Sequence, residues 1–85
     1  MKIMNIAGVL LHINPSRESE IKNALLQMAG TEIHAIQPDG RWVVTVEGDD
    51  DRQVADTVMN LHRLAGVLSA AMIYQHSEEV EEDTP

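Results

Sequence analysis

Four stretches of the chain are rich in aliphatic and β-branched residues, and the two longer gaps between them have the spacing of amphipathic helices. Residues 4–13 form a long apolar run that contains Val, Leu and Ile, which predicts a strand. Residues 31–37, 41–47 and 67–75 predict three more strands. The stretch 41–47 is the clearest, because β-branched and aromatic residues fill it.

Both predicted helices carry apolar residues on one face. In the first helix these residues are Ile21, Ala24, Leu25 and Met28. In the second they are Val54, Val58, Leu61 and Ala65. Asn14 or Ser16 is the predicted N-cap of the first helix. The acidic cluster 49–51 suits the start of the second helix, where the helix dipole favours negative charge. Gly30 and Gly66 are placed where glycine commonly closes a helix.

The order of elements predicts a specific fold. Residues 38–40, Pro-Asp-Gly, form a turn that joins the second and third strands into a hairpin. Two βαβ-like halves flanking such a hairpin are typical of the ferredoxin-like sandwich, and right-handed crossovers place both helices on one face. We therefore predict an α+β domain, a ferredoxin-like βαββαβ sandwich with a four-stranded antiparallel sheet, over residues 1–76. Residues 77–85 are predicted to form an acidic, disordered tail.

Composition narrows the classes of partner. The 85 residues carry 14 acidic against 6 basic side chains, a formal net charge of −8, which repels nucleic acid and attracts a basic partner. The chain has no cysteine, so neither disulfides nor thiolate metal sites can form. No apolar run has the length of a membrane span. We expect a cytoplasmic protein.

The functional prediction rests on the side of the sheet that no helix covers, here called the open face. When one face of an antiparallel sheet is buried and the other is solvated, apolar and polar residues normally alternate along each strand. These strands instead place apolar residues on both faces. The predicted binding residues of the open face are Gly8, Leu10, His12, His34, Val43, Thr45, Glu47, Ser69, Ala71 and Ile73. Ile36 is a further candidate. The small residues are expected to form a shallow trough that fits a helix or an extended segment of another chain. The opposite set of the last strand, Leu68, Ala70, Met72 and Tyr74, is assigned to the core.

This apolar band is also consistent with two arrangements that need no foreign partner. A homodimer joined sheet to sheet would cover the band, and scattered aliphatic residues on a protein surface need no cover at all. The sequence favours a monomer or a weak homodimer without deciding between them.

Catalytic and metal-binding motifs are absent from the sequence. No P-loop, GxGxxG, GxSxG or HExxH motif occurs, and the four histidines are not paired at a recognised ligand spacing. Arg17 follows the first strand, as in small acyl phosphatases of this fold, but neighbouring acids make it a poor oxyanion site. RNA-binding proteins of this fold stack bases on aromatic residues of the first and third strands. Here those positions hold Leu10, Val43 and Thr45, so the sequence disfavours RNA binding. We predict neither an enzyme nor a metal or cofactor site.

Three segments resemble the NapD family, small cytoplasmic chaperones for the catalytic subunit of periplasmic nitrate reductase. These are Ile-Ala-Gly-Val-Leu-Leu at 6–11, Gly-Arg-Trp-Val-Val-Thr-Val-Glu at 40–47, and Gly-Val-Leu-Ser-Ala-Ala-Met-Ile-Tyr-Gln-His at 66–76. The acidic tail ending in Thr84-Pro85 adds to the likeness. The resemblance implies a ferredoxin-like chaperone that binds the twin-arginine signal peptide of the nitrate reductase precursor. Binding would delay export until the molybdenum cofactor and iron–sulfur cluster are inserted, with no cofactor in the chaperone itself.

The resemblance agrees with the features of the open face. Such a peptide has a basic start and an apolar middle, so Leu10, Val43, Ala71 and Ile73 would supply contact area. Glu47, Glu32 or the cluster 49–51 would meet the arginines, although capping and solvation also account for these acids. The main alternative is a dimeric regulatory domain of the same fold that binds a small ligand such as an amino acid.

Overall fold

The computed structural model describes residues 2–80. The chain forms four strands and two helices in the order β1, α1, β2, β3, α2, β4. A short 3₁₀ turn, Pro15–Arg17, precedes α1. The elements are β1 Lys2–Ile13, α1 Glu18–Leu26, β2 Thr31–Ile36, β3 Arg41–Gly48, α2 Asp51–His62 and β4 Val67–Val80.

The sheet has the strand order β2-β3-β1-β4, and all neighbouring strands are antiparallel. The two central strands are therefore the first and third in sequence, as a ferredoxin-like βαββαβ chain requires. Both helices pack on one face, where their apolar residues join those of β1 and β3 in one buried cluster. The predicted α+β fold class is confirmed.

The core consists mainly of aliphatic side chains around one aromatic residue. Trp42 is 1% exposed and is the largest of the fully buried side chains. The remaining buried apolar residues are Ala7, Val9, Leu11, Ile13, Ile21, Leu25, Val44, Val46, Val54, Val58 and Leu61. Alternate residues of β1 and β3 thus point towards the helices, which leaves the intervening residues on the opposite side.

Local interactions set where the helices begin and end. Asn14 accepts a hydrogen bond from the backbone N–H of Ser16 at 3.1 Å, so it caps the 3₁₀ turn that leads into α1. Asp50 accepts one from the N–H of Gln53 at 2.8 Å and caps α2. The second helix ends at His62, earlier than predicted, so Ala65 is exposed and does not join the apolar face.

One glycine is required by the hairpin turn. Gly40 has φ +94°, a conformation that other residues rarely adopt. Its carbonyl accepts a hydrogen bond from the N–H of Ile13 at 2.8 Å, and a β-carbon at residue 40 would clash with the carbonyl oxygen of Ile13. The turn is therefore fixed both by its contact with β1 and by its own backbone geometry.

The last strand is longer than the sequence predicts. β4 continues to Val80, and Ser77, Glu78, Glu79 and Val80 pair with the first residues of β1. The predicted tail therefore does not begin at residue 77, because the backbone there completes the ladder with β1. The remainder of that tail, 81–85, lies outside the described residues.

Candidate functional site

The register of the strands places the open-face residues in rows that cross the sheet. Directly opposed residues in an antiparallel pair point to the same side. Because Ala7, Val9 and Leu11 are buried against the helices, the even-numbered residues Gly8 and Leu10 face the other way. The partners of these residues on the neighbouring strands define the rows.

The most apolar row crosses the middle of the open face. It consists of Ala71, Leu10, Val43 and Ala35, one residue from each strand. Leu10 is 36% exposed, and Val43 is partly buried beside it. Next to them is a depression of about 370 Å³ that is also lined by Gln37 and Arg41. Within residues 2–80 no helix covers Leu10 or Val43, so the apolar band that the sequence predicts lies on an uncovered face.

The next row towards the amino-terminal end of β1 is more polar. It consists of Tyr74, Gly8, Thr45 and Glu32. His34 contacts this row, since its Nε2 lies 2.7 Å from Oγ1 of Thr45 and 3.9 Å from a carboxylate oxygen of Glu32. The following row contains His76, Ile6 and Glu47. On the other side of the apolar row lie Ser69, His12 and Arg41.

Nine of the ten predicted residues are therefore in these rows or in contact with them. The exception is Ile73, which is 56% exposed but has no directly opposed partner in β1. Gly8 opposes Tyr74 and Val9 opposes Met72, so Ile73 is the extra residue of a β-bulge. Whether any of these residues contacts a ligand remains a prediction.

The bulge at Ile73 corrects the predicted core set of β4. Beyond it, the even-numbered residues face outwards, so Tyr74 lies on the open face and is 46% exposed. Leu68 is also unpaired at a second irregularity and is 67% exposed, while Met72 is 46% exposed at the sheet edge. Of the four predicted core residues, only Ala70 packs against the core.

A similar bulge corrects the assignment in β2. Ile33 opposes Val44 and Ala35 opposes Val43, so His34 is the extra residue. The alternation shifts by one, and Ile36 opposes the buried Trp42 on the helix side. Ile36 is therefore not part of the open face.

Gly8 is not the floor of an open trough. It is buried, because the ring of Tyr74 lies over it and occupies the space that a β-carbon would need. Sequence reasoning missed Tyr74 and its neighbour His76. A signal was available, since a glycine inside a strand often marks the close approach of another group.

Charge is distributed unevenly over the open face. Glu32 and Glu47 lie in the two rows on one side of the apolar row. Arg41 lies on the other side, and its guanidinium binds Asp39 with an Nε to Oδ2 distance of 2.8 Å. The backbone N–H of Arg41, and then its side chain, lower the pKa of Asp39. One end of the face is acidic, while the cation at the other end is already paired.

The acidic cluster at the start of α2 is engaged with its own surroundings. Asp50 caps the helix, and Asp51 accepts a hydrogen bond from the side-chain amide of Gln75 at 3.3 Å. Gln75 opposes the buried Ala7, so this contact is on the helix side of the sheet. These two acids do not face the rows described above.

Among residues 2–80, no group of three or more histidine, cysteine or acidic side chains is arranged to hold a metal ion. No helix of the described chain is long and apolar enough to cross a membrane.

Known proteins are similar to this chain in sequence and in fold. The family model described as NapD protein matches residues 4–79. Chaperone NapD of Escherichia coli K12 is 27% identical over 81 residues, 94% of this chain and 93% of that protein. Chaperone NapD of Haemophilus influenzae is 25% identical over 76 residues, 88% of this chain and 82% of that protein. The solution structure of the E. coli Tat proofreading chaperone protein NapD matches with a TM-score of 0.79 at 26% identity, covering 96% of this chain and 87% of that chain. Since the match includes both helices and all four strands, the chain belongs to the NapD family.

Proposed function

We propose that this protein binds the twin-arginine signal peptide of the periplasmic nitrate reductase precursor on its open face. Binding holds the precursor back from export until the cofactors of its catalytic subunit are inserted. The protein acts in the cytoplasm by binding alone and catalyses no reaction. Membership of the NapD family supports this role, as does the name of the E. coli relative, a Tat proofreading chaperone.

One observation carries the proposal: the face without helices combines an apolar row with an acidic end. Leu10, Val43 and Ala71 offer a surface for the apolar middle of a signal peptide. Glu32 and Glu47 lie beyond it, on the side where the basic start would be attracted. The formal net charge of −8 further favours approach of a basic segment.

The experiment measures binding of a synthetic signal peptide by titration calorimetry. Leu10→Glu places a charge in the centre of the apolar row and should weaken binding about 100-fold or more, as expected at an interface hot spot. Leu26→Glu is the matched control, because Leu26 is 71% exposed on α1, on the other side of the protein. Equal affinities of the two variants would exclude the open face as the binding surface.

Thermal melting tests the role itself. A twin-arginine peptide should raise the melting temperature, because a ligand that binds only the folded state stabilises it. Free amino acids should have no effect. A shift with amino acids and none with the peptide would instead indicate a small-ligand regulatory domain of the same fold.

A further inference from the structure

Tyr74 has a position on the open face that the proposed apolar and acidic contacts do not explain. Its ring packs against the backbone of β1 at Gly8, where no side chain intervenes. Because Tyr74 is still 46% exposed, the ring forms a flat aromatic surface on the sheet that remains accessible to a ligand. The bulge at Ile73 brings it there, since regular alternation from Ala71 would have turned residue 74 towards the helices.

His76 extends this surface. The two ring centroids are 5.7 Å apart and the ring planes differ by 23°, so the rings are nearly parallel. Both residues face the same side of β4, opposite Gly8 and Ile6 of β1. The result is an aromatic platform, Tyr74 and His76, at the edge of the open face.

Acidic side chains lie in the same rows as the platform. Glu32 shares the row of Tyr74, and Glu47 shares the row of His76. Within residues 2–80 the carboxylate of Glu47 has no hydrogen-bond or ion-pair partner.

An aromatic surface near a carboxylate suits a guanidinium group better than an ammonium group. A guanidinium is planar and weakly hydrated, so it stacks on an aromatic ring while its N–H groups point sideways to carboxylates. An ammonium is a compact and strongly hydrated charge, which gains less from the ring.

We propose that Tyr74 selects arginine over lysine in the bound peptide, with Glu47, on the strand next to β1, accepting hydrogen bonds from the stacked guanidinium. This inference rests on the proposed function, and it fixes the direction of the peptide. The arginine end lies over the rows of Tyr74 and His76, and the apolar segment lies over Leu10 and Val43. Asp50 and Asp51 take no part, since Asp50 caps α2 and Asp51 contacts Gln75 on the helix side.

The test compares two peptides that differ only in the twin-arginine pair, which is replaced by two lysines in the second. The wild-type protein should bind the arginine peptide about tenfold more tightly, a typical gain for a partly desolvated cation–π contact. Tyr74→Leu should remove this preference and leave affinity for the lysine peptide nearly unchanged. Tyr74→Phe, which keeps the aromatic face, should retain the preference.

A spectroscopic readout separates stacking from a merely structural role. Tyr74 is the only tyrosine in the chain, so its ring resonances can be identified without ambiguity. With a ¹⁵N-arginine peptide, the side-chain Nε–H resonances should shift upfield in complexes with the wild type and Tyr74→Phe. They should not shift in the complex with Tyr74→Leu.

The outcomes distinguish the inference from the function on which it rests. Equal affinity for both peptides, with Leu10→Glu still weakening binding strongly, would overturn the role of Tyr74 and leave the function intact. The same arginine-to-lysine ratio in wild type and Tyr74→Leu would do likewise. Binding of neither peptide by the wild type would overturn the proposed function itself.

Discussion

The hydroxyl of Ser77 donates a hydrogen bond to the side-chain oxygen of Asn5, which is 5% exposed and is the one buried polar residue identified in the described chain. The two residues are directly opposed in β4 and β1. This contact satisfies a polar group on the helix side of the sheet and holds the extension of β4 beyond residue 76 against β1. The strand therefore does not end where the acidic composition begins.

Removing this hydrogen bond should destabilise the protein. Ser77→Ala leaves the oxygen of Asn5 without its donor, at a cost of about 1–3 kcal/mol for a buried polar group that loses its partner. Urea unfolding measures the change. Ser69→Ala is the control, because Ser69 is exposed on the same strand and its substitution should alter stability by less than about 0.5 kcal/mol. Equal stabilities of the two variants would show that the Asn5 contact contributes nothing.

Gly8→Ala tests the packing of Tyr74 against β1. The backbone of Gly8 does not have a positive φ, so alanine is allowed there, but its β-carbon would clash with the ring. The ring must move, which should cost about 1 kcal/mol of stability and weaken binding of the arginine peptide severalfold. In a Tyr74→Ala background, Gly8→Ala should have no further effect on binding. Additive effects in this double-mutant cycle would contradict the coupling.

Deletion of Ile73 should be tolerated. Because it is the extra residue of a bulge, its removal leaves Met72 opposite Val9 and Tyr74 opposite Gly8. Deletion of Gln75 should be far more damaging, since it shifts every following residue and removes Ser77 from its place opposite Asn5. Urea unfolding of the two deletion variants should show the larger loss for Gln75. Equal losses would contradict this register of β4 with β1.

A matched pair of charge changes identifies which acids meet the arginines. Glu47→Gln and Asp50→Asn each remove one negative charge, and asparagine still caps α2. Glu47→Gln should weaken peptide binding about tenfold, as expected for the loss of a charged hydrogen bond. Asp50→Asn should leave it unchanged in calorimetry. The reverse result would place the arginines at the start of α2.

The fold is largely predictable because the central strands follow regular patterns. Alternation assigns the residues of β1 and β3 to the correct faces, since both strands are uniform and their register with each other has no irregularity. The edge strands are less predictable. Each contains a bulge, at His34 and at Ile73, and a bulge reverses the alternation on which face assignment depends.

The candidate site, like the fold, is predictable on the central strands and less so on the edge strands. Leu10, Val43 and Thr45, on the central strands, are on the face that their alternation indicates. Alternation places Tyr74 on the wrong face because nothing in the local sequence marks the bulge beside it. The acidic composition around Ser77 wrongly assigns it to the tail. Its contact with Asn5 joins residues that are 72 positions apart, so the local sequence does not reveal it.

The bulges at the sheet edges also affect how the molecule behaves at high concentration. A bulge bends and twists its strand, so neither β2 nor β4 offers a flat, regular edge to a second molecule. Continuous edge-to-edge stacking of sheets, the usual route from an exposed apolar strand to an aggregate, is therefore hindered on both sides. The apolar row of the open face is thus flanked by two edges that are poorly shaped for pairing with another sheet.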